Sequence, residues 1–286
     1  MKDTLIVLGN GFDLDLGWKT SYADFYRAKK HIFDCYDGIK YIKDMMQGEH
    51  WYDLEGYIRA CLVEMPESRA NELNSFWLVC RNNIFEYLSI GNNAIFNTNK
   101  HSCAYMFLSG ITGKSTVVTF NYTNPFTKNK IENHAAEYIH VHGALDNNTQ
   151  ANKIKLGVDS FVRDESSLVD QELTQLLIKS YKNENIDKVF QLQKNHKNII
   201  FYGHSLGQTD ADYFKSYFKH VISGNMPEQN IYLVTKDAKG LQQMKDNLRK
   251  YDIEYGDLAF SKSNVSPVFT AQGVDNNKFK EILSLI

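Results

Sequence analysis

Leu5-Ile6-Val7-Leu8-Gly9-Asn10-Gly11-Phe12-Asp13 is the stretch on which the fold turns. Four consecutive apolar residues read as a short strand buried on both faces, the kind that occupies the middle of a parallel sheet. Gly9 and Gly11 lack Cβ atoms and let the backbone turn sharply and lie close to a ligand. Asp13, Leu14 and Leu16, then Tyr22, Phe25 and Tyr26, continue as a helix with an acidic first turn. Strand, glycine turn and helix N-terminus together offer free N–H groups to a phosphate, so a nucleotide site is the first expectation. The dinucleotide fingerprint G-x-G-x-x-G is filled only in part, because Leu14 stands where its third glycine belongs. Asp13 would repel a pyrophosphate and better suits a helix cap or a ribose hydroxyl. A tight strand-to-helix turn with no ligand accounts for the same residues.

The composition narrows the function classes. At 286 residues the chain buries a sizeable core as one large domain or as a core with an insertion. A formal net charge of -2 gives no reason to expect nucleic acid or a polybasic membrane contact. With 17 Tyr and 17 Phe against 4 Pro, it reads as globular and not disordered. The first apolar run is too short for a signal peptide, and no later segment is long enough to span a bilayer. Cys35, Cys61, Cys80 and Cys103 form no C-x-x-C pair and read as free thiols of a cytoplasmic protein.

Residues 31–110 differ from the remainder. Ile39, Ile42 and Met46, then Tyr57, Ile58, Cys61 and Leu62, then Phe76, Trp77, Cys80, Ile84 and Leu88 recur at helical spacing. They predict a helical insertion after the first strand–helix unit, leaving 1–30 and 111–286 as the core. In the core, strands are expected at 117–120, 138–141, 198–202 and 231–235, with a weaker one at 153–156. Helices are expected at 166–193, 210–221 and 239–250. Alternating strands and helices predict an α/β fold, a Rossmann-like, mainly parallel sheet with helices on both faces.

In such a sheet, ligands gather beyond the carboxyl ends of the strands. Asn10 and Asp13 follow the first strand, Asn121-Tyr122-Thr123-Asn124 the second, His142-Gly143 the third, and Gly203-His204-Ser205-Leu206-Gly207 the strong late one. Four polar or glycine-bearing strand ends on one edge outweigh any single motif. Gly113-Lys114-Ser115 imitates the end of a Walker A loop but leads into a strand. Gly203–Gly207 imitates the nucleophile elbow of hydrolases, yet His220, in the very next helix, is the only later histidine. His134, His140 and His142 lack a carboxylate or thiol at ligand spacing, so no metal site is expected.

With these residues assembled, the chain resembles the AbiH family of bacteriophage abortive-infection proteins. LGNGFDLDLGWKTSYADF at the N-terminus carries most of the likeness; WYDLE at Trp51–Glu55, FNYT, HVHGALDN with LGVD, and YGHSLGQTDADYF support it in order. The same blocks look like a divergent sirtuin-type core of the kind found in bacterial defence NADases. That resemblance implies NAD+ as substrate or ligand. It places Gly9, Asn10, Gly11, Phe12 and Asp13 at the phosphate turn, Asn121 beside Tyr122 near the nicotinamide ribose, and His142 of the His142-Gly143 step as the catalytic histidine. Ser205 with Leu206 would contact the cofactor's ribose, and Gly143 and Gly203 would be further cofactor-binding positions. Asn10, Phe12 and Asp13 depart from the usual sirtuin turn, and no zinc-binding cysteine quartet is present.

Two functions follow as expectations. The first is an abortive-infection enzyme that cleaves the nicotinamide–ribose bond of NAD+. Asn121 would orient ribose hydroxyls or water, and His142, with an ordinary pKa of about 6.5, would accept a proton. The alternative is a non-catalytic nucleotide-binding sensor or interaction module in phage defence. Either admits a phage-derived activator or partner protein and self-association. Trp51, Asp53 and Glu55 would shape the site if the insertion covers the strand ends, and otherwise begin an amphipathic helix.

Overall fold

A computed structural model of the chain describes residues 2–35, 53–89, 94–145, 154–162, 175–179 and 185–286. Ile39, Ile42, Met46 and Trp51, singled out in the sequence, lie outside the described residues. Contacts divide the chain into two units: one of Met1–Trp18, Asn93–Val141 and Glu184–Ile286, and a second of Lys19–Asn92 and His142–Asn183.

The first unit is an α/β layer structure. Its strands are β1 (Lys2–Leu8), β2 (Ser115–Thr119), β3 (Glu137–His140), β4 (His196–Tyr202), β5 (Asn230–Thr235) and β6 (Asn264–Phe269). They form one sheet in the order β3-β2-β1-β4-β5-β6, and every pairing is parallel. This is the 3-2-1-4-5-6 order of Rossmann sheets. Leu8 pairs with Thr119 on one side and with Tyr202 on the other, so the carboxyl ends of the three central strands meet at one edge.

Side-chain alternation along β1 explains why four apolar residues run together. Leu5 and Val7 enter one core with Phe201, Phe214, Phe218 and Leu248. Ile6 and Leu8 enter the other, with Phe12, Phe107, Tyr202 and Phe279. Helices Asn185–Asn195, Ala211–Ile222 and Ala238–Arg249 cover the first face; Asn10–Asp15, Cys103–Gly110 and Asn277–Leu283 cover the second. A central strand with helices on both sides has no solvent face and therefore carries no polar alternation.

Three sequence expectations are corrected. No strand forms over the described residues 154–156, although Ile154 and Leu156 are buried. The long helix expected at 166–193 is interrupted at Ile178, which forms a parallel bridge with Val158; Lys179 N–H donates to Val158 O, and Asn185–Asn195 then starts anew. β6 has no counterpart among the expected strands: Asn264, Ser266 and Pro267 deny it an apolar run, and a proline is tolerated because β6 is an edge strand.

The described part of the second unit is mainly helical: Tyr22–Cys35, Leu54–Glu64 and Ala70–Ser89. Ile58, Cys61, Leu62, Leu73, Phe76, Cys80 and Ile84 are buried at helical spacing. Among the described residues, no helix is long and apolar enough to cross a membrane.

Candidate functional site

β1 leads to β2 and β3 on one side, and β4 leads to β5 and β6 on the other, so the order in which strands are added reverses between β1 and β4. Ligands of such sheets bind at that point. Here the turns after β1 and β4 pack onto each other. Gly9 N–H donates to Tyr202 O (3.0 Å), Gly11 N–H to Gly203 O (2.8 Å), and Phe12 N–H back to Gly9 O (2.9 Å). A Cβ on Gly9 would lie 2.5 Å from His204 Cα, and one on Gly203 would lie 2.1 Å from Phe12 N. Gly203 also holds φ at +63°. The glycines let two backbones meet; of the N–H groups expected to be free for a phosphate, those of Gly9 and Gly11 are engaged across that meeting and that of Phe12 within its own turn.

Beneath the turn lies a buried polar cluster. Asp13 is 1% exposed, and neither of its oxygens caps the helix Asn10–Asp15, whose N-cap is Gly9. One carboxylate oxygen accepts from Asn121 Nδ2 (3.0 Å) and the other from the Thr123 hydroxyl. Asn121 Nδ2 donates a second time, to Gly9 O (3.1 Å). The Asn121 backbone is held as well: its N–H donates to Thr119 Oγ1 (3.1 Å), and its carbonyl accepts from His140 Nδ1 (3.1 Å). Burial pushes the Asp13 carboxyl from 3.8 up to about 7; the bonds from Thr123 and Asn121 pull it back by less. Thr123 belongs to the site, yet in the sequence it is only one member of a polar run. Its partner Asp13 is 110 residues away in the chain, and no local pattern announces the pair.

Asn124 closes this corner as a helix cap, accepting from Phe126 and Thr127 N–H with Pro125 at the first helical position. Tyr122 is buried, and Phe12 is fully buried, edge-on to Tyr202 at 4.9 Å. Asn10 is exposed.

After β4, His204 is buried between Phe120 (4.5 Å between centroids) and Phe214 (4.9 Å). Its Nδ1 accepts from Leu206 N–H (3.0 Å), which puts the ring proton on Nε2, 3.6 Å from an Asp210 oxygen. Leu206 is fully buried at φ +53°, and its carbonyl and that of Gly207 accept from Tyr251 OH. Ser205 is exposed, and its carbonyl accepts from Asn247 Nδ2 (2.9 Å). His220 donates to Ser216 O on its own helix (2.8 Å). On the opposite core face, Asp15 accepts from Tyr202 OH (2.5 Å) and Ala104 N–H (2.9 Å), and burial raises its carboxyl above the usual range.

Gly9, Asp13, Asn121 and Gly203 are thus brought together within the first unit, whereas His142 and Gly143 belong to the second. His142 is buried, its carbonyl accepting from Lys155 N–H (2.9 Å), and Gly143 holds φ at +90°. Asp53 caps the helix Leu54–Glu64 through Gly56 N–H (2.9 Å). Glu55 pairs instead with buried Lys179 (2.8 Å), and beside it Arg59 pairs with fully buried Asp159 (2.9 Å).

Residues 5–226, well over half of the chain, match the family described as bacteriophage abortive infection AbiH. No curated protein matches it. The matched span runs from β1 past β4 and so contains the glycine turn, the Asp13–Asn121–Thr123 cluster and the His204 turn. The chain is a member of the AbiH family of bacteriophage abortive-infection proteins.

Proposed function

We propose that this AbiH protein acts in abortive infection through a nucleotide held at the carboxyl edge of β1, β2 and β4, and that NAD+ is the substrate, cleaved at the nicotinamide–ribose bond. The supporting observation is the buried Asp13–Asn121–Thr123 cluster at the point where the strand order of a 3-2-1-4-5-6 sheet reverses. In the reaction the C–N bond breaks, and nicotinamide leaves neutral with the bonding pair. Positive charge builds on the ribose ring; water then adds to the anomeric carbon and loses a proton. The products are nicotinamide, ADP-ribose and a proton. Such a reaction needs the sugar and the water held in place more than it needs acid catalysis. Asn121 is assigned the orienting role. His142 takes the base role on the resemblance alone. The engaged N–H groups of Gly9, Gly11 and Phe12 give the pyrophosphate no place on that turn, so the reading positions the ribose there and not the phosphates.

A non-catalytic sensor is the second reading. It is favoured by the same engaged N–H groups, since a turn already closed on β4 suits recognition without a reactive phosphate cradle. A chromatographic assay of NAD+ and nicotinamide separates the two, using wild type, Asn121→Ala and His142→Ala with and without extract of infected cells. Nicotinamide release by wild type that falls about 10²-fold or more in both variants supports the enzyme. Folded wild type that releases none under either condition refutes it and leaves the sensor.

A further inference from the structure

We propose that Asp13 is a positioning residue which, with the Gly9 carbonyl, locks the Asn121 amide so that the site offers a ligand a hydrogen-bond acceptor. That the ligand donor is a sugar hydroxyl rests on the nucleotide reading above; the locking itself does not.

An asparagine amide has two N–H donors on Nδ2 and an acceptor at Oδ1. At Asn121 both donors point inward, one to Gly9 O at 3.1 Å and one to Asp13 Oδ1 at 3.0 Å. A peptide carbonyl can only accept, so chemistry dictates which end of the amide faces Gly9. Turning the amide over would set Oδ1 against two acceptors and leave both N–H protons without them. Thr123 holds the second Asp13 oxygen, so the carboxylate cannot rotate away. The backbone of Asn121 is fixed by Thr119 and His140. Among the described residues every polar atom of Asn121 is therefore engaged except Oδ1.

The consequence is selective. A phosphate or carboxylate presents acceptors only and would meet Oδ1 as a like pole. A hydroxyl donates to it. The geometry also survives a change in Asp13 protonation: a neutral carboxyl donates to Thr123 Oγ1, which can accept, while its other oxygen still accepts from Asn121. What the lock requires is an acceptor at Asp13 Oδ1, not a charge. An asparagine at position 13 supplies one, and an alanine does not.

The full chain labelled with 15N-asparagine tests this. The Asn121 side-chain amide signals are identified by their loss in Asn121→Ser, and their solvent exchange is compared with that of surface asparagines. Protection of about tenfold or more is expected in wild type, kept in Asp13→Asn and lost in Asp13→Ala. NAD+ is then titrated calorimetrically. Asp13→Asn should bind within about threefold of wild type and Asp13→Ala about tenfold more weakly, as loss of one oriented hydrogen bond implies. Wild-type amide exchange as fast as that of surface asparagines, or full protection in Asp13→Ala, overturns the proposal. Absence of NAD+ binding by folded wild type overturns the nucleotide reading, while the exchange data still decide the lock.

Discussion

Replacing Asp13 by asparagine isolates the cost of burying a carboxyl at this site. The side chains are nearly the same shape, and the substituted amide can accept from Asn121 and donate to Thr123, so the contacts of Asp13 are retained. What changes is the titration. Burial raises the folded-state pKa from 3.8 to about 7, and Tyr138 on β3, one of the titratable groups near it, is itself pushed upward by burial and stays neutral. A carboxyl raised on folding contributes stability that is complete below its unfolded pKa. That contribution is lost as pH rises through the folded one. Over the full interval of about three units, the loss is on the order of 4 kcal/mol. Between pH 5 and pH 8 the portion lost is roughly 2–3 kcal/mol, since about two units of that interval are crossed. Urea denaturation of wild type and Asp13→Asn at both pH values, followed by circular dichroism, measures it as a difference of differences in which the other titrating groups cancel. Asp13→Asn should lose less stability than wild type on going to pH 8 and should be the more stable protein there. Parallel pH dependences in the two proteins would show that Asp13 ionises as an ordinary carboxyl, and the buried-cluster argument would fail.

Gly203→Ala should leave little folded protein. The left-handed conformation alone costs an alanine roughly 1–2 kcal/mol, and its Cβ would fall 2.1 Å from Phe12 N, so purified yield and circular dichroism should both collapse. A well-folded Gly203→Ala variant would mean the two turns are not in contact. In the second unit, Glu55→Ala leaves Lys179 buried without its carboxylate and should destabilise by about 3–5 kcal/mol, read from urea melts. Replacing Glu55 and Lys179 together by leucine should recover most of the loss; failure of the double variant to improve on the single one would refute the ion-pair account. Tyr202→Phe removes the donor to Asp15, leaving a buried carboxyl oxygen short of a partner, and should cost about 1–3 kcal/mol. An unchanged melting temperature would show that bond to be idle.

How much is legible in the chain differs from element to element. The apolar runs of β1 and β4 have a local cause, burial on both faces, and so announce themselves and the parallel sheet they build. β6 carries Pro267 and polar neighbours at an edge position, where one side of the ladder is open and no apolar run is required. Nothing in its own residues separates it from a loop. The interruption of the expected helix at Ile178 depends on Val158, a partner from another segment.

The functional residues divide the same way. The glycines at positions 9, 11 and 203 and the polar strand ends can be picked out from the chain alone, because residue type and spacing already limit what such turns can do. Whether those glycines approach a phosphate or another turn was decided by β4 arriving beside β1. Asp13, by its place in the first helical turn, suggests a cap or a sugar contact. Only the fold brought Asn121, 108 residues away, and Thr123 to its two oxygens and buried all three. Local sequence determines which conformations and which hydrogen-bonding groups are on offer. Tertiary structure decides which groups meet and how much water is left between them, and hence which amide end faces outward and at what pH a carboxyl gives up its proton.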